Sequence, residues 1–190
     1  WICFWFNLVV FFFSYKNAEW SYQGNFNKPI FDSVFDFITL AKDQKNESLW
    51  AGSYGGGLVN INGSAITIFK KNNSTLQPAI GDPTSYRVSG LAFDGNNNLW
   101  ISNYAAPQNL QVRKADNTFK AFTIPFSHFE NAVSQIVVDD ANQLWIVSPR
   151  GNGVFCYNYG NNIDILTDDK WKYYRTGIGT GNLPSNNVFC

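Results

Sequence analysis

The chain holds one histidine, His128, in the polar stretch "PFSHFEN". A lone imidazole with no nucleophile spaced beside it supports neither a Ser-His-Asp triad nor a multi-histidine metal site. Two carboxylate pairs, Asp139-Asp140 and Asp168-Asp169, could in principle serve as acid and base. Adjacent side chains in a turn point different ways, so neither pair is set to converge on one bond. "DGNNN" at 94–98 begins like a calcium loop, with oxygen donors at Asp94, Asn96 and Asn98, yet the place of its closing bidentate Glu is held by Ala105. A hairpin turn explains it better. "GSYGGG" at 52–57 could bring backbone N–H groups to a phosphate, but a strand-like run follows where a helix opening on Lys-Ser/Thr would be needed. Cys3, Cys156 and Cys190 lack C-x-x-C spacing and read as isolated thiols. These signals predict a protein that is not an enzyme, with no cofactor and no metal.

Planar side chains are a better lead. Tyr54, Tyr104 and Arg150 follow three tryptophans, Trp50, Trp100 and Trp145, by four or five residues. Stacked rings with Arg and Asn nearby suit sugars or flat polar ligands, so these three are the ligand-binding candidates. The alternative is that the tyrosines simply cap surface turns.

The elements that would position them follow from composition and recurrence. Three Glu stand against 24 Asn, and the apolar residues are rich in Phe, Tyr, Trp, Val and Ile, a balance for strands and tight turns. Fourteen basic residues balance fourteen acidic ones, and no basic cluster exceeds Lys70-Lys71, so nucleic acid is not an expected partner. The opening "WICFWFNLVVFFF" has the length of a signal-peptide apolar core. Residues 1–18 are therefore set apart, as a trimmed export signal, a buried strand of a preceding unit, or a stretch not native to the domain.

Trp50, Trp100 and Trp145 stand 50 and 45 residues apart. Ahead of the latter two run "VSGLAFD" and "VSQIVVDD", each Val twelve positions before its Trp. "VFDFITLA" at 34–41 begins sixteen before Trp50, which predicts a turn about four residues longer. Third strands ("GGLVNI", "NLQVRK", "GVFCYN") and fourth strands ("AITIF", "TFKAF", "KWKYY") follow, with "EWSYQ" at 19–23 and "NNVFC" at 186–190 as flanking strands. The fold class is all-β: a partial β-propeller of three four-stranded antiparallel blades in an open arc over 19–190, with blades at 34–69, 88–122 and 133–174. The blade core is Leu49, Trp50, Leu99, Trp100, Ile101, Leu144, Trp145 and Ile146. Each second strand is apolar on both faces because sheets flank it on both sides. The connection at 72–87 should overhang the rim that carries Tyr54, Tyr104 and Arg150, and contact a partner there.

With the blade laid out, "LWAGSYGGGLVNI" and "VSGLAFDGNNNLWISNY" resemble the two-component regulator propeller repeat over residues 34–190. Within that family, the run at 76–116, "KNAEWSY" and "DSVFDFITLA" are most similar to the surface component of the type IX secretion system. The resemblance implies an exported, non-catalytic protein at the cell surface or outer membrane that assists delivery of anionic lipopolysaccharide and processing of cargo. Its partners would be other blades of the same propeller, lipopolysaccharide or another glycan, and secretion-system proteins. The alternative within the family is the periplasmic, carbohydrate-sensing half of a hybrid histidine kinase.

Overall fold

The structure, a computed structural model, describes residues 2–6, 9–16, 18–24, 28–34 and 36–189, without the side chains of 2–16 and 21–24. It is almost wholly β, and the helical segments among the described residues are two short 3-10 turns, Pro29–Ser33 and Phe129–Asn131. Strands β1 (Ile2–Phe6), β2 (Val9–Lys16) and β3 (Glu19–Gly24) form one antiparallel sheet. Three four-stranded meanders follow. The first is β4 (Phe37–Lys42), β5 (Leu49–Gly55), β6 (Leu58–Asn62) and β7 (Ala65–Phe69). The second is β8 (Tyr86–Phe93), β9 (Leu99–Asn103), β10 (Leu110–Arg113) and β11 (Phe119–Phe122). The third is β12 (Ile136–Val138), β13 (Leu144–Ser148), β14 (Gly153–Asn158) and β15 (Lys170–Tyr174). Every strand within a meander is antiparallel to the next. Asn97, Asn117, Asn142 and Gly63 supply the left-handed backbone at hairpin tips, which is why polar runs separate the apolar triplets.

The meanders stack face to face as a partial β-propeller. Leu49 and Ala51 join Phe31, Phe37, Val59 and Ile61 on one face of the first meander. Trp50, between them in sequence, points the other way and packs with Leu99 and Ile101 of the second. Trp100 in turn leaves Leu99 and Ile101 behind and packs with Leu144, Ile146 and Phe155 of the third. A strand's two-residue side-chain period thus sends each indole into the next interface and its neighbours into the previous one. The first two meanders are also stitched at one end, where β5 runs on to pair Tyr54 with Arg87 and Gly55 with Tyr86.

Four expectations need correction. The loop between β4 and β5 spans 43–48, one residue longer than 94–98, because Phe37 rather than Val34 is the counterpart of Val88. Both residues precede a bulge and face equivalent positions, Ser53 and Asn103. Trp145 is half-buried, whereas Trp50 and Trp100 are buried; its ring lies 5.2 Å from that of Tyr174 in its own meander. Residues 186–189 form no strand, and the Asn186 carbonyl accepts Gly153 N–H, while Cys190 lies outside the described residues. The connection expected at 72–87 ends earlier, because Tyr86 and Arg87 already belong to β8.

The inserted residue at 43–48 has a chemical consequence. Trp100 Nε1–H donates to Asp94 at 2.9 Å and Trp145 Nε1–H to Asp139 at 2.9 Å, each carboxylate six residues upstream. Asp43 stands seven upstream of Trp50, and the Trp50 indole N–H is left without a partner.

Candidate functional site

The turns joining second to third strands open on the same rim as the connections between meanders. Tyr54 is the penultimate residue of β5, Tyr104 directly follows β9, and Arg150 sits between β13 and β14. Tyr54 therefore stands inside a strand rather than in the expected turn, because β5 is extended by its pairing with β8. All three are brought into one open cleft of about 400 Å³, completed by Ile80, Arg87, Ala105, Glu130 and Asn131.

Backbone hydrogen bonds tie three of the four contributing loops to one another and to β8. Tyr104 N–H donates to Arg87 C=O at 2.8 Å, Ala105 N–H to Asn131 C=O at 3.1 Å, and Ile80 N–H to Ala105 C=O at 2.8 Å. The 70–85 connection thus does lie across the rim, with Ile80 exposed at its crest. Four lining residues other than glycine, Ala105, Glu130, Asn131 and Arg150, hold φ between 49° and 63°. Each such conformation costs on the order of 1 kcal/mol, and strained backbone of this kind gathers at binding sites.

The Tyr54 and Tyr104 rings lie 5.7 Å apart at 53°, forming an open V. Tyr104 is 8% exposed and Tyr54 39%, so one ring is the wall and the other the lip. Burial, with Tyr54 next, raises the Tyr104 hydroxyl above the usual phenol value, which keeps it a neutral O–H. Arg87 lies 5.1 Å from the centre of the Tyr54 ring. Its Nη2 is 3.2 Å from Asp82 and its Nε donates to Ser85 at 3.0 Å, so this guanidinium is pinned on three sides. Arg150 is more loosely held, by Glu130 at 2.8 Å and the Phe129 ring at 5.8 Å.

Aromatic faces and forked cations recognise a pyranose ring and an anionic substituent. Most of the groups with other chemistry hold partners elsewhere, while Asp140 is exposed and one oxygen each of Asp168 and Asp169 is buried without a partner. His128 Nε2 lies 2.6 Å from Asn109 Nδ2, and its Nδ1 lies 2.7 Å from the Phe126 carbonyl, the pattern of a neutral ring donating through Nδ1. Burial lowers its pKa, which agrees. Asp94 is consumed by Trp100, Tyr159, Asn98 and its own turn. Asp139 takes the Trp145 indole, and Asp140 is exposed. Asp169 accepts from Tyr157 O–H, and Asp168 from Asn161 N–H. In "GSYGGG" the Ser53 hydroxyl donates to Gly57 C=O and accepts from Gly56 N–H, closing the turn on itself. Cys156 is a buried free thiol pushed above its usual pKa by burial; the Cys3 side chain lies outside the described residues.

Sequence reasoning missed Arg87 and Glu130. Arg87 is read as the lead-in to a core strand, and only the β5–β8 pairing carries it to Tyr54. Glu130 lies in a 3-10 turn whose reversed backbone no local pattern announces. One usable signal existed: Glu130 is one of only three Glu in the chain and sits in an inter-blade connection.

No protein-family model matches the chain, and no curated protein matches it. Solved structures do. The chain is similar to PorZ, described as an essential bacterial surface component of the type-IX secretion system of Porphyromonas gingivalis, with TM-score 0.74 and 19% identity over 90% of this chain. It is similar to the extracellular domain of a protein assigned to a hybrid two component system of B. thetaiotaomicron, with TM-score 0.51 and 20% identity over 72% of this chain. It is also similar to a catalytically inactive virginiamycin B lyase from Staphylococcus aureus with quinupristin, with TM-score 0.57 and 13% identity over 90% of this chain. The chain spans 25%, 17% and 47% of those three chains respectively, and at these identities the likeness is one of fold.

Proposed function

We propose that the chain is a non-catalytic, glycan-binding propeller segment of an exported protein, a surface component of a type IX secretion system. The observation that carries the binding role is the cleft, where two tyrosine rings and two arginines, from strands β5 and β8 and the turns after β9 and β13, meet over strained backbone. Rings to stack on a sugar and guanidiniums to take an anion suit an acidic glycan such as anionic lipopolysaccharide, whose delivery to the cargo-processing machinery the family resemblance implies. The likenesses to PorZ and to the two-component extracellular domain both support an extracytoplasmic setting, and the choice of the secretion reading over the sensor reading rests on the sequence resemblance.

Deleting the gene tests the placement. Secreted cargo should then remain unprocessed at the surface. Normal cargo maturation in the deletion strain, with loss of a transcriptional response to a polysaccharide, would move the protein to the periplasmic carbohydrate sensor of a hybrid histidine kinase.

A further inference from the structure

Both arginines of the cleft already have a carboxylate, but the two pairs are built differently. Arg87 emerges from β8 and is fixed by Asp82, by the Ser85 hydroxyl and by the Tyr54 ring, and its side chain is 24% exposed. Arg150 and Glu130 meet through a single Nη1–Oε2 contact, with side chains 54% and 46% exposed. Both sit on reversed backbone, φ 63° and 54°, in two different connections that line the same cleft. A half-exposed, one-point ion pair is worth little and leaves the rest of the guanidinium fork open, whereas a ligand carboxylate or phosphate could take that fork with two parallel bonds.

We propose that Arg150 is the specificity determinant of the cleft and that Glu130 is its built-in counter-ion, which the acidic group of the glycan displaces. This rests on the glycan-binding reading above. Arg150 makes the discrimination, and Glu130, as the competing carboxylate, holds it in check. A neutral sugar gains nothing by breaking the pair and leaves it closed. An acidic sugar replaces the intramolecular carboxylate and adds a second contact, while Arg87, held by its three partners, fixes the lip ring Tyr54 against which the sugar stacks.

The test is calorimetric titration of the whole chain and of its E130Q and R150Q variants with a short oligogalacturonate and with a maltooligosaccharide of equal length. Glu130→Gln keeps shape and removes the competing charge. It should tighten oligogalacturonate binding on the order of fivefold, the scale of one exposed ion pair, and leave maltooligosaccharide unchanged. Arg150→Gln should abolish the preference for the acidic chain. If the unaltered protein prefers oligogalacturonate and E130Q binds it equally or more weakly, the counter-ion role is refuted while the glycan-binding reading stands. If the unaltered protein binds both chains without preference, the counter-ion role is refuted and the glycan-binding reading stands; if it binds neither chain, both are refuted. Circular dichroism of each variant confirms that the fold is retained.

Discussion

Replacing Asp94 by Ala should destabilise the protein more than any other single change in a hairpin turn. Its carboxylate, 7% exposed, accepts the Trp100 indole N–H and the Tyr159 hydroxyl at 2.9 Å each, the Asn98 amide, and the backbone N–H groups of Asn96 and Asn98. The Tyr159 bond crosses from the second meander to the third. Its neighbours respond to the charge: burial first, then the Asp94 carboxylate, push the Tyr159 hydroxyl up to about 12. In D94A the indole N–H of the fully buried Trp100 loses its acceptor, at about 1–3 kcal/mol. Tyr159 keeps only Asn96 Nδ2, and with the charge-assisted bonds gone the total loss is about 3–5 kcal/mol. Asp94→Asn retains one carbonyl oxygen and should lose about 1–2 kcal/mol. Asp139→Ala is the control: its indole partner, Trp145, is half-buried and can be rehydrated, so the loss should be clearly smaller. Urea unfolding followed by tryptophan fluorescence reads all three. A D94A loss below about 1 kcal/mol, or one no larger than that of D139A, would refute the assignment of Asp94 as the latch between the second and third meanders.

Gly90 of β8 faces the third meander so closely that an added Cβ would overlap the Ser134 carbonyl and sit 3.0 Å from Gln135 Cα and Ile136 N. These are backbone atoms that cannot rotate away, so Gly90→Ala should cost about 1–3 kcal/mol and lower the melting temperature, whereas an alanine at the open position Gly81 should not act through packing. His128, the single histidine, should titrate by NMR below its ordinary 6.5, because burial disfavours the imidazolium. A folded-state pKa below the unfolded one means that its contribution to stability is complete above about pH 6.5 and is lost as pH falls through the lowered value. A measured pKa at or above 6.5 would contradict the buried neutral ring.

The architecture was legible because the tryptophan recurrence reports a tertiary fact. A residue that must wedge between two sheets returns once per sheet, and the Asn/Gly hairpins between strands keep that period visible. What was not legible depends on register across separate segments. The bulge that makes Phe37 rather than Val34 the counterpart of Val88 shifts a strand without altering its hydrophobicity. Trp145 reads like its two counterparts, yet its exposure is decided by what lies against the far face of its sheet. At the cleft, Tyr54, Tyr104 and Arg150 could be picked out because they follow the repeated Trp by four or five residues. Arg87 and Glu130 could not, since one is delivered by a strand pairing and the other by a turn between meanders.

The most direct test of the cleft uses the tyrosines themselves. In a sample labelled on its nine tyrosines, oligogalacturonate should shift the Tyr54 and Tyr104 ring resonances saturably and leave those of Tyr157 and Tyr159, buried between sheets, in place. Saturable binding of the acidic chain with Tyr54 and Tyr104 unmoved would contradict the account.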